Sequence, residues 1–175
     1  MPANAKKPDR RSPSRSERFK DLAEELRTAS DSRLVASELA GSFGFLLRLA
    51  NGVSQEQLGK RLDALDLRTT LFSLLLIIHE NPGLKQQEVG QTLSIQQPNL
   101  VALINELVSR GLVSRTINAE DRRSYSLNLS AAGAKLLQQA RRAHEANERK
   151  IAEAVHPLTP AQFRDALVRI LGISG

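Results

Sequence analysis

Apolar residues recur at helical spacing over most of the chain. Phe19, Leu22, Ala23 and Leu26 predict a short amphipathic helix from Ser16 to about Ala29. Ser30, Asp31 and Ser32 are N-cap residues in a row that restart the chain, and Val35, Leu39, Phe43, Leu46, Leu47 and Ala50 then share one face of a long helix. Asn51-Gly52 is expected to break or kink that helix, with Ser54 capping a continuation through Leu58, Leu62 and Leu65. Thr70 to Ile78 is mostly apolar, which predicts a helix buried on most sides and ended by Asn81-Pro82-Gly83. Leu84 to Leu93 reads as a short helix with Val89 and Leu93 inward, and Ser94-Ile95 as a tight connection. Gln96 to Arg110 is a further helix with Leu100, Leu103, Ile104, Leu107 and Val108 towards the core, Pro98 in its first turn and Gly111 as its C-cap.

After Gly111 the period changes from 3.6 to 2. Val113, Arg115 and Ile117 precede the turn-forming cluster Asn118-Ala119-Glu120-Asp121, and Tyr125, Leu127 and Leu129 alternate with Ser124, Ser126 and Asn128. This predicts a β-hairpin. Ser130 then caps a long helix to about Val155, and Thr159-Pro160 opens a last one with Phe163, Ala166, Leu167 and Ile170 on one face. The fold class is mainly α with a small β-hairpin wing: short helix, tight turn, second helix and hairpin make a winged helix-turn-helix, flanked by helices at both ends.

That arrangement suits double-stranded DNA. The major groove is roughly 12 Å wide and admits one helix, which presents its N-terminal residues and exposed face to base edges. The exposed side of the second helix carries Gln96, Gln97, Asn99, Ala102, Asn105, Glu106 and Ser109. Gln and Asn each make two hydrogen bonds to adenine. The candidate contacts on this helix are therefore Gln96, Gln97, Pro98, Asn99 and Ala102.

Net charge adds less to this picture than its size suggests. The chain has 175 residues and a formal charge of +6, but residues 1–18 hold six Lys or Arg against two acids, so +4 of the excess lies in a Pro- and Ser-rich arm. Residues 1–15 are expected to be disordered. Over 85–130, Lys85, Arg110, Arg115, Arg122 and Arg123 face Glu88, Glu106, Glu120 and Asp121. The absence of Cys excludes a disulfide framework, a Cys-ligated zinc site and a thiol redox sensor. The basic N-terminus has no apolar run of the kind a secretory signal needs, and Leu74 to Ile78 is too short to span a bilayer, so the expected location is the cytoplasm, away from any membrane. His79, His144 and His156 stand far apart, with no metal-binding spacing, no Gly-rich phosphate loop and no nucleophile elbow. No enzyme, cofactor or metal is expected.

The sequence resembles the MarR family of transcriptional regulators. The likeness rests on Leu67 opening the buried helix, Asn81-Pro82-Gly83, and Leu107-Val108-Ser109-Arg110-Gly111-Leu112-Val113. It continues through Asp121-Arg122-Arg123 and Leu129-Ser130-Ala131-Ala132-Gly133, all in order. The resemblance implies a homodimer on a pseudo-palindromic operator, with either Arg122 or Arg123 entering a flanking minor groove and Asp121 bracing the turn. It implies a repressor released by a small-molecule effector, for which an aromatic carboxylate or its coenzyme A thioester is favoured. The candidate effector pocket is Phe45, Arg48, Phe72 and His79. Ala102 and Lys85 depart from the family pattern, which commonly has a basic or polar residue at the first position and a Ser or Thr cap at the second. The domain plan is an arm over 1–15, N-terminal dimerisation helices over 16–66, the winged helix over 67–130 and C-terminal dimerisation helices over 131–175. The competing expectation is a winged helix that binds protein and has no specific DNA target.

Overall fold

The computed structural model describes residues 15–28, 39, 41–117 and 125–172. Residues 1–14 of the expected arm, the Ser30–Ser32 restart with Val35, and the hairpin tip with Asp121, Arg122 and Arg123 lie outside the described residues. The chain divides into two compact units, Met1–Glu56 and Gln57–Gly175. The described helices are α1 (Arg15–Thr28), α2 (Phe43–Leu62), α3 (Thr69–Glu80), α4 (Gln86–Thr92), α5 (Gln97–Ser109), α6 (Ala131–Ala154) and α7 (Pro160–Leu171), and the strands are β1 (Leu84–Lys85), β2 (Val113–Ile117) and β3 (Tyr125–Leu129).

Asn51-Gly52 does not interrupt α2, which is continuous from Phe43 to Leu62. An interior glycine costs about 1 kcal/mol relative to alanine. A break would leave four carbonyls and four N–H groups without helical partners. Good helix formers on both sides, Leu46-Leu47 and Gln55-Glu56-Gln57-Leu58, favour continuity, and Ser54 is an interior residue and no cap. A single 3-10 turn, Asp63–Leu65, ends the helix.

The core of the second unit surrounds α3. Leu71, Phe72, Leu74, Leu75 and Ile78 are buried there, against Leu58, Leu62, Val89, Leu100, Ile104, Leu107, Leu127 and Leu137. The few aromatic residues (3%) leave this packing to branched aliphatics. Burying each such side chain contributes about 1.5–3 kcal/mol, so this cluster fixes α4, α5 and the hairpin on one support.

Leu84 and Lys85 are a strand, where the start of a helix was expected. They pair antiparallel with β3, Leu84 opposite Leu127 and Lys85 opposite Ser126, which gives a three-stranded sheet in the order β1-β3-β2. Gly83, at φ +81°, makes the turn into β1 and donates its N–H to the Leu127 carbonyl at 3.0 Å. Two residues are too few to show a period of two, so this strand leaves no trace in the hydrophobic pattern.

Candidate nucleic-acid interface

The site begins at the α4 N-terminus. Lys85 occupies the N-cap but has no side-chain acceptor, so only the return bond forms, from the Lys85 N–H to Glu88 Oε2 at 2.8 Å. The turn between α4 and α5 is tight: Ile95 N–H reaches the Gly90 carbonyl at 2.9 Å, and Ser94 sits in the left-handed region at φ +52°. Gly90 lets the two helices approach. A Cβ there would lie 2.9 Å from Leu100 Cδ2 and 3.3 Å from the Ile95 carbonyl oxygen.

Leu100, Ile104 and Leu107 anchor α5, all fully buried at positions i, i+4 and i+7. They leave Pro98, Ala102, Asn105 and Ser109 on the outward side, with Gln96, Gln97 and Asn99 exposed at the tip. Val108 was expected inward but is 37% exposed. It lies roughly 90° around the helix from the buried stripe, at about 100° per residue. Pro98 stands in the first turn, where its missing N–H breaks no bond. Gln96, Gln97, Gly90, Gln91, Ser94 and Gln87 help line a shallow depression of about 280 Å³ between α4 and the α5 tip.

The far end of α5 is tied on three sides. Glu106, expected on the open face, is half-buried and forms ion pairs with Arg68 and, at 3.8 Å, with Arg110. Arg110 also donates to the Asp66 carbonyl at 2.8 Å and stands 3.6 Å from the Asp66 carboxylate. Asn105 Oδ1 accepts from Arg115 Nη1 at 3.1 Å, and the Arg115 guanidinium lies 3.9 Å above the Tyr125 ring. This stacked cation joins α5 to both hairpin strands. No spacing rule exposes such partners, since Arg68 and Glu106 are 38 residues apart.

Gly111 ends α5 at φ +66°, with Leu112 N–H returning to the Leu107 carbonyl at 2.9 Å. The hairpin pairs Val113 with Leu129, Arg115 with Leu127 and Ile117 with Tyr125. Ser130 closes it. Its hydroxyl donates to the Gly111 carbonyl at 2.6 Å and accepts the Gly133 N–H at 2.9 Å, and its own N–H donates to the Leu112 carbonyl at 3.0 Å. Gly133 packs against this junction, where a Cβ would fall 2.0 Å from the Leu112 oxygen.

The four candidate effector residues are placed as follows. In the first unit, Arg48 lies over the Phe45 ring at 5.1 Å. In the second, Phe72 is 3% exposed and meets the His144 ring at 5.3 Å, so it is a core side chain. His79 is exposed at the edge of a depression of about 330 Å³ lined also by Lys135, Gln138 and Arg141. Arg141 stands 3.7 Å from Glu80. Among the described residues no group of three or more acidic or histidine side chains is placed to hold a metal ion, and no helix is long and apolar enough to cross a membrane.

The MarR family model matches residues 67–125. A protein of Thauera aromatica described as a transcriptional regulatory protein for the hcr operon is 30% identical over 105 residues, 59% of this chain. The chain spans 63% of that relative's length. Among solved structures, the transcriptional repressor CouR bound to a 23-mer DNA duplex is 33% identical, with a TM-score of 0.70 over 81% of this chain and 97% of that one. CouR from Rhodococcus jostii RHA1 bound to p-coumaroyl-CoA is 27% identical, with a TM-score of 0.69 over 80% and 99%.

Proposed function

Because the chain belongs to the MarR family, we propose that it is a cytoplasmic, sequence-specific DNA-binding transcriptional regulator, not an enzyme, that acts as a repressor released by a small-molecule effector. The observation that carries this reading is the mounting of α5. One face is locked into the core, and the opposite face and the tip are exposed beside a hairpin whose two strands are joined in sequence by the segment that contains Asp121-Arg122-Arg123. Gln96, Gln97, Pro98, Asn99 and Ala102 meet base edges in the major groove, and Arg122 or Arg123 enters the neighbouring minor groove, where a narrow A·T tract attracts a cation.

The functional protein is a homodimer. Residues 16–66 and 131–175 supply the dimer contacts, and 67–130 the DNA-binding lobe. The support is apolar side chains left uncovered in each unit. Along α7, Val168, Ile170 and Leu171 are 50%, 43% and 83% exposed, and at the start of α2 Phe43 is 82% exposed. Two half-sites about one helical turn apart then match two copies of α5. An effector that alters the spacing of the two copies weakens both contacts together. CouR, which binds p-coumaroyl-CoA, supports an aromatic acyl coenzyme A thioester as effector here.

Fluorescence titration of the gene's own upstream DNA at ~100 mM salt tests the reading, because non-specific contacts are already weakened there. Specific binding that p-coumaroyl-CoA relieves, and that Arg123→Ala weakens without dissociating the dimer, is the expected result. Absence of any sequence preference would replace it with a winged helix that binds protein.

A further inference from the structure

From Gln86 to Ser109, both helices of the reading lobe and the turn between them contain no Lys or Arg. Their only charges are two carboxylates, and both are engaged. Glu88 accepts the Lys85 N–H, and Glu106 pairs with Arg68 and Arg110. Two arginines beside the C-terminal end of α5 are directed elsewhere: Arg110 to Asp66, and Arg115 to Asn105 and the Tyr125 ring. The exposed groups left for a ligand include the amides of Gln87, Gln91, Gln96, Gln97 and Asn99, the hydroxyl of Ser94 and the methyl of Ala102.

Resting on the DNA-binding reading of this same face, we propose that the major-groove part of each half-site is read as A·T pairs by an uncharged surface, with Gln97 and Asn99 on adenine and Ala102 against a thymine methyl. Three physical points lead there. Guanine is most often read by a bidentate Arg or Lys, and this surface has neither. Asn and Gln match the N6–H and N7 of adenine, and a small apolar side chain matches the C5 methyl of thymine. Ala102 is exposed on the side of α5 opposite Leu100 and Ile104, so at that outward position the helix offers a methyl group. A surface without cations also releases no counterions from the duplex. Sequence discrimination and salt dependence therefore reside in different parts of the molecule. The amides and the methyl supply the first, and Arg122, Arg123 and the basic residues of 1–18 the second.

The test is selection of duplexes from a random pool by the full-length chain, followed by titrations of the selected site between roughly 50 and 200 mM salt. A·T pairs are expected at the major-groove positions of each half-site. Asn99→Ala or Gln97→Ala should lower affinity for the selected site by about tenfold and relax one adenine position. Neither should alter the slope of log K against log salt. Arg123→Ala should reduce that slope by about one and leave the major-groove base preferences in place. Ala102→Arg should steepen it by about one and admit guanine. A selected half-site with G·C at these positions, or a slope that changes in Asn99→Ala, overturns the uncharged A·T readout while leaving the DNA-binding reading standing. A pool that yields no common motif overturns both.

Discussion

The two ends of α5 are built for opposite tasks. At the C-terminal end, Asn105, Glu106 and Arg110 are bound to the hairpin root and to the segment before α3, and Gly111 is held by Ser130. At the N-terminal end, Gln96, Gln97 and Asn99 are exposed, and Gln96 makes no capping bond. A surface that must fit a groove needs a mount that does not yield and a tip whose hydrogen-bonding groups are uncommitted. This helix separates the two along about four turns, with the buried Leu100, Ile104 and Leu107 between them. The polar residues near its C-terminal end resemble groove-reading residues in the sequence, but their bonds are internal.

Four substitutions, ordered from the mount to the tip, can break or sharpen this contrast. Gly133→Ala should cost the most, roughly 2–4 kcal/mol, because its Cβ would overlap the Leu112 oxygen and the helix cannot shift without breaking the Ser130 bonds. Urea unfolding measures it, and a loss under about 1 kcal/mol would show that the mount yields. Ser130→Ala removes the α6 cap and the bond to Gly111, and should lower stability by about 1–2 kcal/mol in the same assay. Arg115→Ala loses the Tyr125 stack and the Asn105 bond. We expect about 0.5–1 kcal/mol of stability from that, and a larger proportional loss in binding to specific DNA than in thermal stability, since the hairpin is no longer aligned with α5. Asn99→Ala should leave the melting temperature nearly unchanged, within about 0.5 kcal/mol, while lowering specific binding. If it destabilised the fold as much as Ser130→Ala, the tip would be part of the mount and the contrast would fail.

Legibility in the sequence follows the same division. Elements with a repeating pattern were readable: the stripe Leu100, Ile104 and Leu107, the alternation of Tyr125, Leu127 and Leu129, and the caps at Gly111, Ser130 and Thr159. The exposed tip of α5 was readable for the same reason, because exposure is the complement of that stripe. The ties at the other end were not. Arg115 to Asn105 spans ten residues and Arg110 to Asp66 spans 44, and no local pattern records which cation meets which acceptor. The strand Leu84–Lys85 was invisible because it is shorter than two periods. The continuity of α2 through Asn51-Gly52 shows a local signal overruled by helix formers on either side.

The stitching at Gly111, Leu112, Ser130 and Gly133 has a consequence for how such a protein can change. The chain leaves at Gly111 and returns at Ser130, and these two residues are already bonded to each other. Everything between them is an excursion whose ends are held independently of its length. Doubling a closed loop adds only about 0.6 kcal/mol of entropy cost, so the connection between β2 and β3 can change in length while the strands, which carry Leu127 and Arg115, stay in place. A descendant that lengthened only the connection between β2 and β3 would keep α5 and α6 in place.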